Sequence, residues 1–496
     1  MGKLRALKGE PMKIRLICCA VAVAMLLCAC QVGEGPETII SAPPAVEPTG
    51  QEAPPSDHRG EDTRFPPAPP VCELDFTETE SFPFPFEDEL WIDYLQSPPR
   101  LFLTIEQALY DYDTMWQLLE ENFPYFEAIK RELGIDWEAV KAEYRQLLDD
   151  RAYDGYISQD DFIQTINSCL REFQSVGHLF LVPVNTRLTL LDLFKDSENA
   201  PYQNIVKIVS NPKSQLFYKR MNQLPSWSSS GSNSYSKESD PISIDGLAAL
   251  SEHLFTGYAE GRVPYLKIES FTQWDDVAQA KLEGFFSSIS QKEHLIIDVR
   301  GNGGGNDGAW RSGIVPFLAQ QEYEFTQFWA AKSGTLNLML EPEFDKSRGY
   351  ITRYTDDSWQ KEFPYISPDM LTGTDIFLKA SSTLSCTDAK DKFHGKIWLL
   401  VDEYCYSATD ALVWFCKETG FATVVGTKTG GNGKGAQPYM MALPYSGLIV
   451  EYEPYLSFNS DGTCNGISGT VPDIVPEEGH DALETCLMLI SGKLNY

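Results

Sequence analysis

Apolar and polar positions change their spacing several times along this chain, and the changes mark its elements. From about Leu103 the spacing is helical, and Tyr110 through Phe123 carries its apolar residues three and four apart. Asp136-Trp137-Glu138-Ala139-Val140 opens a second helix with Asp136 as N-cap, and a third runs from about Gln159 to Phe173. Gly177-His178-Leu179-Phe180-Leu181-Val182 reads as a turn entering a strand. Val263–Ile268, His294–Val299 and Ile397–Val401 are short apolar runs of strand length, and Trp274 to Ser287 is helical. After the last of these strands, Ala408, Ala411, Leu412 and Phe415 fall at i, i+3, i+4 and i+7, and Gly420 can end the helix. Strands alternating with helices, with glycines at the strand ends, predict an α/β core behind a small helical domain.

The same pattern divides the chain. Residues 1–29 are a signal segment, 30–72 a tether, 73–185 the helical domain, 186–262 an intervening segment with a Ser-rich loop, and 263–496 the core, interrupted near 335–385 by a polar insertion. In the signal segment Lys13 and Arg15 precede the apolar run Leu16 to Cys28, which Leu27-Cys28-Ala29-Cys30 closes. The run is short for a membrane span. Its end resembles a bacterial lipoprotein signal, which implies cleavage before Cys30 and lipid on that cysteine, hence a membrane-anchored protein outside the cytoplasm. The tether is rich in Pro, Glu, Ala and Gly, a composition that cannot bury a core.

The chain has 496 residues and a formal net charge of −31. That charge argues against nucleic acid, since phosphate binding needs a basic face. Cleavage before Cys30 leaves Cys72, Cys169, Cys386, Cys405, Cys416, Cys464 and Cys486, with no CxxC pair among them. Neither a zinc site nor a dense disulfide framework is expected; scattered thiols on apolar segments read as core residues. No metal or cofactor is predicted.

Two loops carry candidate chemistry. Ser407 is delivered by a strand onto the first turn of a helix, where free N–H groups can stabilise an oxyanion and the hydroxyl can attack a carbonyl. The bland alternative is a helix cap, with Asp410 completing a capping box. Asp298-Val299-Arg300-Gly301-Asn302-Gly303-Gly304-Gly305 is a glycine loop after a strand, where backbone N–H groups can face a ligand. Gly303, Gly305 and Gly308 formally match GxGxxG, with Glu322 or Glu324 at ribose-contact distance, so a dinucleotide site is a competing reading. Of six histidines, His178 sits at a Gly-His turn leading into an apolar strand, while His294 and His394 precede strands and read as surface residues.

Taken in order, these pieces resemble the serine peptidases of the tricorn and C-terminal processing protease family. The likeness spans most of residues 105–480 and includes the Asp136-Trp137 helix start, the Gly177-His178 turn, the Val263–Ile268 strand, the Asp298–Gly305 loop, Ser407-Ala408-Thr409-Asp410, Gly426–Gly431 and Gly469-Thr470-Val471-Pro472-Asp473. It implies a crotonase-like spiral of ββα units, Ser407 as nucleophile, and Gly304 and Ala408 as oxyanion donors. It also implies a peptide or unfolded protein as substrate. The family's processing branch places a lysine 25 residues after the serine; here that residue is Asn432, with Lys428 and Lys434 out of register. The tricorn-like branch uses a histidine from the helical domain, and His178 stands there. An imidazole titrates near neutrality and can take the serine proton. Tricorn-like members also have a glutamate shortly before Gly-x-x-Pro-Asp; this chain has Cys464-Asn465-Gly466-Ile467-Ser468, so Asn465 is expected to orient a histidine-bound water or a second serine. The uncharged Asn465 leaves open a second reading, a catalytically silent member that binds peptides.

Overall fold

A computed structural model describes residues 102–183, 200–221, 242–272, 274–338, 350–387 and 392–494, with isolated residues at 187, 190–191 and 195. The signal segment, the tether and Cys72 lie outside the described residues, as does most of the Ser-rich loop. Among the described residues no helix is long and apolar enough to cross a membrane.

The protein is α/β. A mostly parallel six-stranded sheet has the order Thr423–Gly426, Lys396–Val401, His294–Asp298, Val263–Ile268, Leu254–Ala259, Ile244–Ala249. The first four strands run parallel, and the last two join antiparallel. The sheet therefore begins at Ile244, inside the segment that the hydropathy pattern set apart from the core. Its strands are apolar on both faces because helices cover both: Leu266, Leu295 and Leu399 belong to one buried cluster, Tyr265, Ile296 and Leu400 to another. The polar insertion is structured in part. Tyr350–Tyr354 and Ile376–Leu384 form an antiparallel sheet with Tyr323–Ala331.

The predicted helices are present with shifted ends. Ile105–Asn122 starts at a reciprocal capping box, Thr104 Oγ1 accepting from Gln107 N and Gln107 Oε1 from Thr104 N. Gln159–Arg171 is capped by Ser158. Asp136 occupies the N-cap of Trp137–Arg151, yet its carboxylate makes no capping bond and sits 3.4 Å from Lys130 Nζ instead.

These helices share their core with the C-terminal half of the chain. Tyr112, Trp116, Phe123, Phe126 and Phe173 pack in one cluster with Tyr439, Met441, Ile449, Val450, Tyr452 and Phe458. The short strand Phe180–Leu181 pairs with Ile449–Tyr452, which also pairs with Tyr439–Ala442. The His178 turn is thus stitched to strands more than 250 positions on. Cys169, Cys405, Cys416, Cys464 and Cys486 are buried thiols without a disulfide, and Cys386 is partly buried.

Candidate active site

Strand Lys396–Val401 ends in a tight loop that delivers Ser407 to the start of helix Ala408–Thr419. Ser407 has φ 56° and ψ −124°, a conformation that a residue with a Cβ seldom adopts. The strain is held by neighbours: Ser407 N donates to Gly431 O at 2.9 Å, and Ser407 O accepts from Ala411 N at 2.9 Å. The helix it caps is buried over Ala408 to Cys416, so the turn has a rigid base. Ser407 makes no side-chain cap bond. The capping-box reading also fails at Asp410, whose buried carboxylate accepts from Thr429 Oγ1, Gly433 N and Asn465 Nδ2. Burial raises the Asp410 pKa.

The Ser407 hydroxyl meets His178: Oγ lies 2.9 Å from Nε2. His178 is 5% exposed, and burial pushes its imidazole down to about 3. A neutral imidazole that accepts the serine proton at Nε2 carries its hydrogen on Nδ1. Nδ1 makes no hydrogen bond among the described residues; the atom facing it is Glu453 Oε2, at 4.0 Å. Glu453 is 1% exposed, and its Oε1 accepts from Ala436 N and Tyr455 N at 2.9 and 3.1 Å. Serine, histidine and carboxylate thus stand in line, the order in which a base is oriented and its cation stabilised.

The glycine loop packs against this turn. Asp298 anchors it, buried between Tyr265, Lys267 and Arg300; the two cations and their hydrogen bonds hold its carboxyl well below the usual range against the cost of burial. Asn302 is buried, accepts Tyr406 N on its carbonyl and donates to Ile268 O. A Cβ on Gly304 would lie 3.0 Å from Ser407 Cβ and 3.1 Å from Ala408 N, so only glycine leaves that space free.

Peptidase family S41 matches residues 262–475, and the Tricorn protease C1 domain matches residues 106–153. Over residues 262–475 the chain is similar to the S41 serine peptidases. No curated protein matches it in sequence. Solved structures cover about three quarters of it at low identity. Mature CPAF complexed with lactacystin is 15% identical, over 75% of this chain and 94% of that one, with a TM-score of 0.47. A lipoprotein from Streptococcus agalactiae is 12% identical, over 78% and 97%, with a TM-score of 0.38. The photosystem II D1 C-terminal processing protease is 14% identical, over 77% and 97%, with a TM-score of 0.35.

Within the segment that matches peptidase family S41 the remaining expected residues take different places. Gly304 N–H, expected at the oxyanion, is donated to Asn302 Oδ1 at 2.9 Å. Ala408 N–H, in the first turn of the helix, has no acceptor among the described residues. Asn465 does not reach His178: its Oδ1 accepts from Gly433 N and Lys434 N, and its Nδ2 donates to Asp410. The Lys434 ammonium lies 4.3 Å from the centre of the Trp414 ring, seven residues on from Ser407. Of the glycines that match GxGxxG, Gly305 packs against protein, where a Cβ would fall 2.6 Å from the Phe271 backbone, whereas a Cβ on Gly303 would meet nothing within 4 Å; Glu322 accepts from Ser385. Glu453 is the site residue that sequence reading missed. The signal available was Glu451-Tyr452-Glu453, two acids alternating within an apolar run, since buried acids cluster at functional sites.

Proposed function

We propose that the chain hydrolyses peptide bonds through an acyl-enzyme, with Ser407 as nucleophile and His178 as general base. The observation that carries this reading is the 2.9 Å contact between Ser407 Oγ and His178 Nε2. Ser407 Oγ attacks the peptide carbonyl while Nε2 takes its proton. The imidazolium that forms then protonates the leaving amine, and water repeats the sequence on the ester. Glu453 favours the imidazolium electrostatically. Ala408 N–H donates to the oxyanion, and Gly304 keeps the space where that oxygen must stand. The reading as a silent peptide-binding protein drew on a missing carboxylate, and Glu453 removes that reason.

A fluorophosphonate probe tests the assignment. Wild type should be labelled, Ser407→Ala should not, and His178→Ala should be labelled on the order of 10²- to 10⁴-fold more slowly. Labelling that survives Ser407→Ala rejects the nucleophile. The localisation follows from the signal pattern: we propose anchoring by lipid on Cys30, outside the cytoplasm. Incorporation of radiolabelled palmitate, absent in Cys30→Ser, checks it; equal incorporation refutes it.

A further inference from the structure

The residue 25 positions after Ser407, where the processing branch of the family would hold its lysine, is Asn432, and it is built into the support of His178. Its Oδ1 accepts the N–H of Gly177 at 2.7 Å, and its Nδ2 lies 3.5 Å from both Ser175 O and Gly466 O. Asn432 is 5% exposed and adopts φ 61°, a conformation that asparagine tolerates and most residues do not.

The turn that Asn432 holds is itself strained. Gln174, Ser175, Gly177 and His178 all have positive φ, between 50° and 61°. Such a run does not persist unless its surroundings fix it. Three bonds from the segment that matches peptidase family S41 do so. Besides Asn432, Tyr406 Oη donates to Ser175 O at 2.8 Å, and Glu453 N donates to Gly177 O at 2.7 Å. Each of the three comes from a segment that borders the site: Tyr406 precedes Ser407, Glu453 faces Nδ1, and Asn432 follows Gly431, whose carbonyl holds Ser407 N. Gly177 N–H is adjacent to His178 in the chain, so loss of its acceptor moves the imidazole directly.

We infer that Asn432 is a positioning residue for the general base, latching the His178 turn to the nucleophile loop; this rests on the Ser407–His178 reading. The register that would carry a base in a serine–lysine site here holds the base of another segment in place.

Asn432→Gly removes the latch without straining φ, whereas Asn432→Asp keeps the acceptor in the same conformation. Fluorophosphonate labelling of the full chain, resolved into a maximal rate and an apparent affinity, separates the possibilities. Asn432→Gly should lose about 10- to 100-fold in maximal rate, with apparent affinity changed less than about 3-fold, as for loss of an interaction used only in the chemical step. Asn432→Asp should recover most of that rate. A purely structural role would instead lower the unfolding midpoint and leave the rate per folded molecule unchanged, which overturns the inference. If Asn432→Gly does not fold, Asn432→Asp decides: a folded variant that labels more than about 10-fold slower than wild type overturns it too. His178→Ala is the control. If it labels like wild type, the Ser407–His178 reading itself fails; if it is slow while Asn432→Gly is fast, only the positioning role fails.

Discussion

Three side chains, Ser407, His178 and Glu453, set the pH behaviour expected of the site. Burial disfavours the imidazolium of His178, so the free base is available well below the ordinary histidine range and is lost only as pH falls toward about 3. Glu453 Oε2 stands 4.0 Å from Nδ1 of this ring. Glu451, two residues earlier, is pushed up to about 8 by burial and then by Glu453, so it holds its proton near neutrality. The acid limb of the labelling rate should therefore have a midpoint below about pH 5, under the ordinary histidine value. The same sign governs folding: the unfolded chain binds a proton at His178 between pH 6.5 and about 3 that the folded chain refuses, so this residue's contribution to stability is present above pH 6.5 and is lost through that window. Glu453→Gln keeps the shape and removes the charge. It should slow labelling on the order of 10²- to 10⁴-fold at neutral pH with little change in apparent affinity. An unchanged rate would mean that Glu453 is only a packing residue.

At the scale of elements, the site depends on two turns that rigid neighbours force into rare conformations. The helix after Ser407 was legible in sequence because its apolar periodicity and the Gly420 stop are local. So were the glycine loop and the Gly177-His178 turn. What could not be read was the strand that presents Glu453. Its partner is Phe180–Leu181, and a pairing between segments so far apart leaves no periodic trace in either. Asn465 stood where a family pattern placed an acid, but in the fold it ties Asp410 to the loop at Gly433. Gly177 shows how closely the turn is fitted. A Cβ there would meet Phe123 Cε2 and Tyr125 Cδ2, both at 2.7 Å, and φ is 60°. Gly177→Ala should cost about 2 kcal/mol or more in urea unfolding, from the left-handed strain and the overpacking together. It should also slow labelling per folded molecule, because relief of the clash displaces His178. A midpoint within error of wild type would refute this account of the turn.

At the scale of the molecule, the helical region and the segment that matches peptidase family S41 share one aromatic and aliphatic core, although hydropathy reads them as separate domains. Composition and periodicity detect apolar faces, not which faces meet. Tyr125, from the loop between the first two helices, donates its hydroxyl to Tyr455 O at 2.8 Å across the join. Asp111, buried in the first helix, accepts the N–H groups of Tyr445 and Ser446 at 2.8 and 2.7 Å. His178 and Ser407, the proposed base and nucleophile, are consequently held on either side of one shared core. They are also 229 residues apart in the chain, with the carboxylate later still. During synthesis the histidine emerges first and has nothing to activate. On the proposed Ser407–His178 assignment, a growing or prematurely ended chain that stops short of Ser407 holds the proton acceptor and lacks the hydroxyl that would form the acyl-enzyme.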